Sequence, residues 1–436
     1  MTFPIDKYKN ALQTMNLIKY SGRVSKLVGL TIESDGPAVE LGEVCLVYPL
    51  KGDQPLKAEV VGFKEKTVFL MPLGDMAGIG PGSKVVASGH SLNVDVGENL
   101  LGRVLNGLGQ PIDGMPKPVT HKQYQADNDP PNPLTRDRIT ESLALGVRAI
   151  DGLITCGRGQ RVGIFAGSGV GKSTLLGMIA KNTAADVNVI ALIGERGREV
   201  REFIENELGE EGLKRSVLII ATSDQPALVR VKGAMLATSV AEYFRDQGKN
   251  VVLMMDSLTR FSMAQREVGL AVGEPPVTRG YTPSVFAVLP RLLERAGNSA
   301  HGSITGLYTV LVDGDDFNEP ISDAVRGILD GHILLSRRLA NMGHYPAIDI
   351  LGSVSRVMPQ IVDNAHLRAS RDFNEILSTY NEAEDLINIG AYAKGTNPAI
   401  DNAIDKYRDF MSFLSQDMHE NAMYDETVSR LVNIVQ

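Results

Sequence analysis

RVGIFAGSGVGKST, Arg161–Thr174, is the stretch from which the fold can be read. RVGIF is a short apolar run of β-favouring residues, and a helical pattern begins at Lys172. Between them lies a glycine-rich loop. Gly167, Gly169 and Gly171 let the backbone wrap around phosphates and aim its N–H groups inward. Lys172 supplies a cation for the β- and γ-phosphates, and the Ser173 hydroxyl suits magnesium. The cradle runs Ala166, Gly167, Ser168, Gly169, Val170, Gly171, Lys172, Ser173, with Thr174 next on a helix whose positive end lies beneath the phosphates. The strict pattern has glycine where Ala166 stands, and a small residue suffices there. A strand before the loop and a helix after it are the context a phosphate cradle requires.

Outward from the loop, strands and helices alternate. VNVIALI (187–193), SVLIIA (216–221) and VVLMMD (251–256) are near-continuous apolar runs separated by helical segments, the longest from about 226 to 245. Such runs mark strands buried on both faces, hence a mostly parallel sheet covered by helices. Asp256 ends one run, so its carboxylate projects from the same sheet edge as the cradle and can hold a magnesium shell. Glu195 follows another run in GERGRE (194–199). It is placed to polarise an attacking water, but spacing alone fits a solvated cluster at a helix start equally well.

The flanks differ in texture. Between residues 18 and 95, SGRVSKLVGLTIE, GEVCLVYP, KAEVVGF, KTVFLMPL and SKVVAS are strand-like runs divided by Gly, Pro and Asp turns, which predicts a small closed β-barrel. Residues 1–17 read as a short amphipathic helix with Ile5, Tyr8, Leu12 and Met15 on one face. ENLLGRVLNGLGQPIDG (98–114) reads as a connecting segment and DNDPPNP (127–133) as a loop. Residues 96–365 form the nucleotide-binding region, and 366–436 read as a helical domain.

Composition excludes several classes of function. The 436 residues are 43% apolar and 22% charged, with net charge −8, so a large core forms and no basic surface invites nucleic acid. Cys45 and Cys156 make neither a disulfide framework nor a metal spacing, and they read as buried thiols of a reducing compartment. MTFPIDKYKN lacks a signal-peptide core, and no run of about 18 apolar residues occurs, which predicts a cytoplasmic chain.

Beyond the cradle, the blocks GERGREVREFIE, MMDSLTRFSMAQREVGLAVGEPP, GYTPSVFAVLPRLLERAG, GDDFNEPISDAVRGILDGHILLSRRLA and GHYPAIDILGSVSR are long and distinctive. With FAGSGVGKSTLLGMIA they resemble the flagellar type III export ATPase family, relatives of the catalytic subunit of rotary ATP synthases. The similarity spans almost the whole chain and is thinnest before about residue 90. It implies a RecA-like P-loop ATPase domain between the barrel and the helical domain, with ATP and Mg2+ as ligands.

Residue by residue, the resemblance implies that Glu195 is the catalytic carboxylate. Arg196 and Arg260 match arginines near the γ-phosphate. Arg356, in SVSR, matches an arginine that reaches into the neighbouring subunit's site in a homohexameric ring. Tyr345 matches the adenine-stacking aromatic, and Phe413 lies where the C-terminal domain closes the adenine pocket, with plain core packing as the equal alternative. GEPPVTRGY (273–281) would face the ring channel and a coiled-coil stalk protein, or be a surface loop. The N-terminal helix would dock a stator-like regulatory protein, or pack on its own barrel. Chaperone–substrate complexes and a membrane export gate would be the further partners, at the inner membrane. The motifs shared with virulence secretion ATPases leave the two systems unseparated.

Overall fold

A computed structural model describes residues 20–312 and 319–436. The amphipathic helix expected over residues 1–17 lies outside the described residues. The chain divides into two units. One comprises residues up to Asn93 with Leu270–Glu274, and the other comprises the remainder.

In the first unit, β1 (Ser21–Val28), β2 (Thr31–Asp35), β3 (Glu43–Val47), β4 (Leu56–Lys64), β5 (Thr67–Pro72) and β6 (Lys84–Ser91) close an antiparallel barrel. Its order is β1-β2-β5-β4-β3-β6, with β6 pairing back to β1. Alternate residues point inward, so Val24, Ile32, Cys45, Val60, Leu70 and Val85 fill the interior. The run read from sequence as SGRVSKLVGLTIE is two strands, because Gly29 takes a left-handed φ of 57° and turns the chain. Cys45 and Cys156 are both buried and free, and burial pushes the Cys45 thiol up to about 12.

The second unit is built on one large sheet. After β7 (Asn93–Val96) come β8 (Val104–Asn106), β9 (Lys122–Gln125), β10 (Arg161–Ala166), β11 (Val187–Ile193), β12 (Ser216–Ala221) and β13 (Asn250–Asp256). Then follow β14 (Gly297–Asn298), β15 (Ser303–Leu311), β16 (Gly331–Leu335) and β17 (Ile348–Ser355). The sheet runs β17-β16-β10-β15-β13-β11-β12-β8, while β7 and β9 form a separate ribbon and β14 pairs with β15. From β16 to β8 all neighbours are parallel, and β17 is antiparallel to β16.

The expectation that residues 98–114 only connect is corrected at β8. Val104 to Asn106 pair with Leu218 to Ile220 and extend the sheet. Three residues are too few to show a period, yet Val104 and Leu105 are buried. Helices cover the sheet, including Lys172–Asn182 and the twenty-residue Ala227–Asp246. On this second helix Glu242 forms a buried ion pair with Arg295 at 2.8 Å, and Arg295 also donates to the Ala126 carbonyl at 2.7 Å.

Beyond β17 the chain is helical: Met358–Ile361, Asn364–Asn388, Pro398–Leu414 and Tyr424–Val435. The first long helix is capped by Asp363, whose carboxylate accepts from the His366 N–H. Phe373 and Phe410 stack at 3.9 Å, and Tyr380 and Tyr407 at 3.7 Å. Their core is continuous with that of the sheet, so the helical domain packs as part of this unit.

Candidate active site

Three strand ends converge at one edge of the sheet. Ala166 ends β10, Asp256 ends β13, and Leu192 of β11 is level with Asp256, so Glu195 leaves at the same edge. The loop after β10 folds as its glycines predict: Gly169 and Gly171 have φ of 76° and 91°, a region that L side chains rarely enter. Gly171 is the residue before the helix Lys172–Asn182, so that helix's N-terminus opens onto the loop.

Lys172 is the centre of the charge cluster. Its Nζ lies 2.5 Å from Asp256 Oδ1 and 3.5 Å from Glu195 Oε1. Burial works against its charge, but the two carboxylates outweigh this and the net shift of its pKa is upward. Asp256 also accepts a hydrogen bond from the Thr309 hydroxyl at 2.8 Å. Glu195 is pushed up to about 7, first by burial and then by Asp256 and Glu199, with Lys172 pulling the other way.

Arg260 packs over Gly194, where a β-carbon would come within 2.8 Å of the Arg260 Cβ. Glycine at 194 therefore lets the Arg260 side chain pack on the backbone next to Glu195. Arg260 Nε and Glu195 Oε1 are both buried without a hydrogen-bond partner. Such a donor and acceptor at one edge are what an incoming phosphate and water would satisfy. Arg196 is not brought into this cluster: its side chain is 71% exposed and meets Glu199 at 3.5 Å.

A cavity of about 420 Å³ adjoins the loop, lined by Gly171, Thr174, Tyr345, Pro346, Gln416 and Met418 among others. The Tyr345 ring lies against Gly171 and is 45% exposed, an open aromatic face suited to a base. Phe413 does not line this cavity. It is fully buried, 5.9 Å from Phe373 and against Gly152, so the core-packing alternative describes it. The wall is instead the segment after the helix, which sequence reading missed. Gln416 N–H donates to the Tyr345 carbonyl at 3.0 Å, and the Gln416 side chain bonds Arg148 N–H and the Gly146 carbonyl, both at 2.9 Å. Arg148 in turn binds the Phe413 carbonyl and the Glu420 carboxylate. The one hint in the sequence was FLSQ, where Gln416 follows the last helical residues.

Arg356 stands elsewhere. Ala166 of β10 pairs with Leu335 of β16, which pairs with Ile348 of β17, all at the cradle edge. At the other edge Val162 pairs with Gly331, and Gly331 with Ser355. Arg356 follows Ser355 and is exposed, so about 16 Å of strand separates it from its own cradle.

Comparison with known proteins agrees with this architecture. The "ATP synthase alpha/beta family, nucleotide-binding domain" description matches residues 146–355, and the beta-barrel domain of the same family matches 24–89. The chain is 57% identical to the flagellum-specific ATP synthase of Bacillus subtilis over 98% of its length and 97% of the relative's. The chain belongs to the flagellar and type III secretion ATPase family. It is an ATPase of that family, built from a β-barrel, an α/β nucleotide-binding domain and a C-terminal helical domain. The last matches the "T3SS EscN ATPase C-terminal domain" over residues 362–433. The type 3 secretion system ATPase of Xanthomonas euvesicatoria is 49% identical over 97% of this chain and 96% of its own. Among solved structures, the assembled ATPase EscN of the enteropathogenic E. coli type III secretion system superposes with a TM-score of 0.90. It is 47% identical, over 95% of this chain and 100% of that one. EscN in complex with its central stalk EscO gives 0.89 at 46% identity, with the same coverage.

Proposed function

We propose that this ATPase works as a homohexameric ring whose catalytic sites are each completed by a neighbouring subunit, in support of flagellar protein export. The position of Arg356 carries the reading. A side chain exposed at the far edge of the sheet cannot serve its own cradle, but a copy rotated about a ring axis can present it to the next one. In that role Arg356 is an arginine finger acting in trans.

Within one subunit, the Lys172 ammonium leaves Asp256 for the β- and γ-phosphates when nucleotide enters. The loop N–H groups and the helix end hold the phosphate oxygens. Glu195 orients the attacking water and accepts its proton, a role its raised pKa suits near neutral pH. Arg260 and the neighbour's Arg356 balance charge on the transferring phosphoryl group. Adenine stacks on Tyr345, with the Gln416–Met418 segment behind it. Ser173 and Asp256 are the hard oxygen donors that would hold Mg2+. The bound ion would neutralise charge on the β- and γ-phosphates.

Export through the flagellar system is favoured over virulence secretion by three flagellar relatives at 57%, 53% and 51% identity, above the 49% of the secretion ATPase, while other flagellar relatives stand at 46–49%. A strain lacking the chain should lose motility, and one that stays motile would remove this assignment. Chaperone–substrate complexes and the membrane export gate are the partners this role implies. A coiled-coil stalk at GEPPVTRGY (273–281) and a stator-like protein at the N-terminal segment complete the proposal. The solved complex of EscN with its central stalk EscO supports a stalk partner. Phosphate release against protein concentration tests the ring. Wild type should rise cooperatively and Lys172→Ala should be inactive. Arg356→Ala should bind nucleotide yet turn over about 10³-fold more slowly, and normal turnover there would remove the trans site.

A further inference from the structure

We infer that Asp330 is a positioning residue for the Arg356 finger, acting through a clamp that ties the end of β17 to the start of β10; this rests on the trans reading of Arg356. The Arg356 N–H donates to the Asp330 carbonyl at 3.0 Å. That carbonyl also accepts from Gln160 Nε2 at 3.2 Å, and the same amide nitrogen donates to the Ser355 hydroxyl at 3.1 Å. Ser355 donates onward to the Thr155 carbonyl at 2.8 Å. The N–H of the finger residue and the side chain of the residue before it are therefore both bonded to residues of other elements.

What holds Asp330 is a charged fork. Its carboxylate accepts from Arg161 N–H and Nε, both at 3.1 Å, and from Arg161 Nη2 at 3.2 Å. Its own N–H donates to the Arg161 carbonyl at 2.9 Å. A bidentate, charge-assisted pair fixes direction as well as distance. Arg161 begins β10, the strand that ends in the phosphate cradle. The clamp thus registers the finger against a strand buried within the nucleotide-binding sheet, between β16 and β15. Arg161 also pairs with Glu294, so neutralising Asp330 loosens the clamp without leaving Arg161 an unpaired buried charge.

The test is Asp330→Asn in full-length assembled protein, alone and in mixed rings. Alone, kcat should fall by about 10²-fold, the cost of misplacing a catalytic group by about 1 Å, with KM and nucleotide Kd unchanged. Mixed with Lys172→Ala, whose own sites are dead but whose finger is intact, Asp330→Asn should regain turnover. Mixed with Arg356→Ala, which contributes no finger, it should not. Arg161→Lys, which keeps the charge but loses the fork, should behave in the same way and serves if Asp330→Asn fails to fold. Wild-type kcat in both variants while Arg356→Ala is slow would overturn the inference and leave the trans site standing. So would a slow Asp330→Asn that Lys172→Ala does not rescue, since that defect lies in its own site. Normal turnover of Arg356→Ala would overturn the trans reading itself, and this inference with it.

Discussion

Replacing Lys172 by methionine should destabilise the nucleotide-free protein by an amount that grows with pH. The lysine stem is kept in size, but the ammonium between Asp256 and Glu195, at 2.5 and 3.5 Å, is lost. Both carboxylates are largely buried, with side-chain exposures of 5% and 14%. Removing one partner from a buried ion pair costs about 3–5 kcal/mol, because the remaining charge has neither water nor counter-ion. For a unit of this size that corresponds to a melting temperature lower by about 4–7 °C.

The pH dependence follows from Glu195. Its carboxyl is raised from 4.5 to about 7 in the folded protein, with Lys172 holding it down against burial. A carboxyl raised on folding adds stability below its unfolded pKa and loses that contribution as pH climbs through the folded value. In wild type the loss runs from about 4.5 to 7. In Lys172→Met the folded value moves higher, so the variant goes on losing stability above pH 7, at about 1.4 kcal/mol for each further pK unit. The variant's deficit should therefore be larger at pH 8.5 than at pH 6 in thermal melts without nucleotide. Equal deficits at both pH values, or a variant more stable than wild type at pH 8.5, would show that the Lys172 ammonium does not hold the Glu195 carboxyl down.

Glu195→Gln should keep nucleotide affinity and lose about 10³-fold in kcat. In wild type kcat/KM should rise with unit slope up to about pH 7 as that carboxyl loses its proton. Tyr345→Ala should weaken nucleotide binding about tenfold, the order expected for one lost base stack, and Tyr345→Phe should not; fluorescence titration reads both. Phe413→Ala should instead lower the melting temperature, through a core loss of about 3–5 kcal/mol, with nucleotide affinity retained. Arg295→Leu should cost about 3–5 kcal/mol by leaving the Glu242 carboxylate buried without its ion-pair partner, and adding Glu242→Leu should recover most of it in denaturant titration.

Most of the catalytic edge was legible because its chemistry is local. The cradle's glycines, Lys172 and the strand before them lie within fourteen residues of sequence. Asp256 and Glu195 announce themselves as acids at the ends of apolar runs. The barrel was legible from its alternation and turns, although one run proved to be two strands. The rest depended on tertiary placement. β8 is three residues long and has no period of its own. Phe413 and Gln416 sit three residues apart at a helix end, and only packing decides that the aromatic ring goes to the core while the amide reaches the cavity. Nothing in the spacing of GERGRE reports that both arginines turn outward, Arg196 to Glu199 and Arg198 to Glu202.

Strand direction was the least legible property and has the largest consequence. Apolar periodicity does not distinguish a parallel strand from a reversed one, and β17 is the reversed one. Because it runs back across the sheet, Tyr345 just before it stays beside the subunit's own cradle, while Arg356 just after it is delivered to the opposite edge. Had β17 been parallel, its C-terminal end would lie at the cradle edge, and a finger there could act within one chain. The reversal leaves Arg356 about 16 Å of strand away from its own cradle, which is the geometry the proposed shared site requires. On the proposed reading it also places the base platform of the subunit's own site and the finger it offers to the neighbour's site at the two ends of one eight-residue strand. In a ring, any shift of Tyr345 on nucleotide binding would then travel along β17 to Arg356 unless the Asp330–Arg161 fork absorbs it.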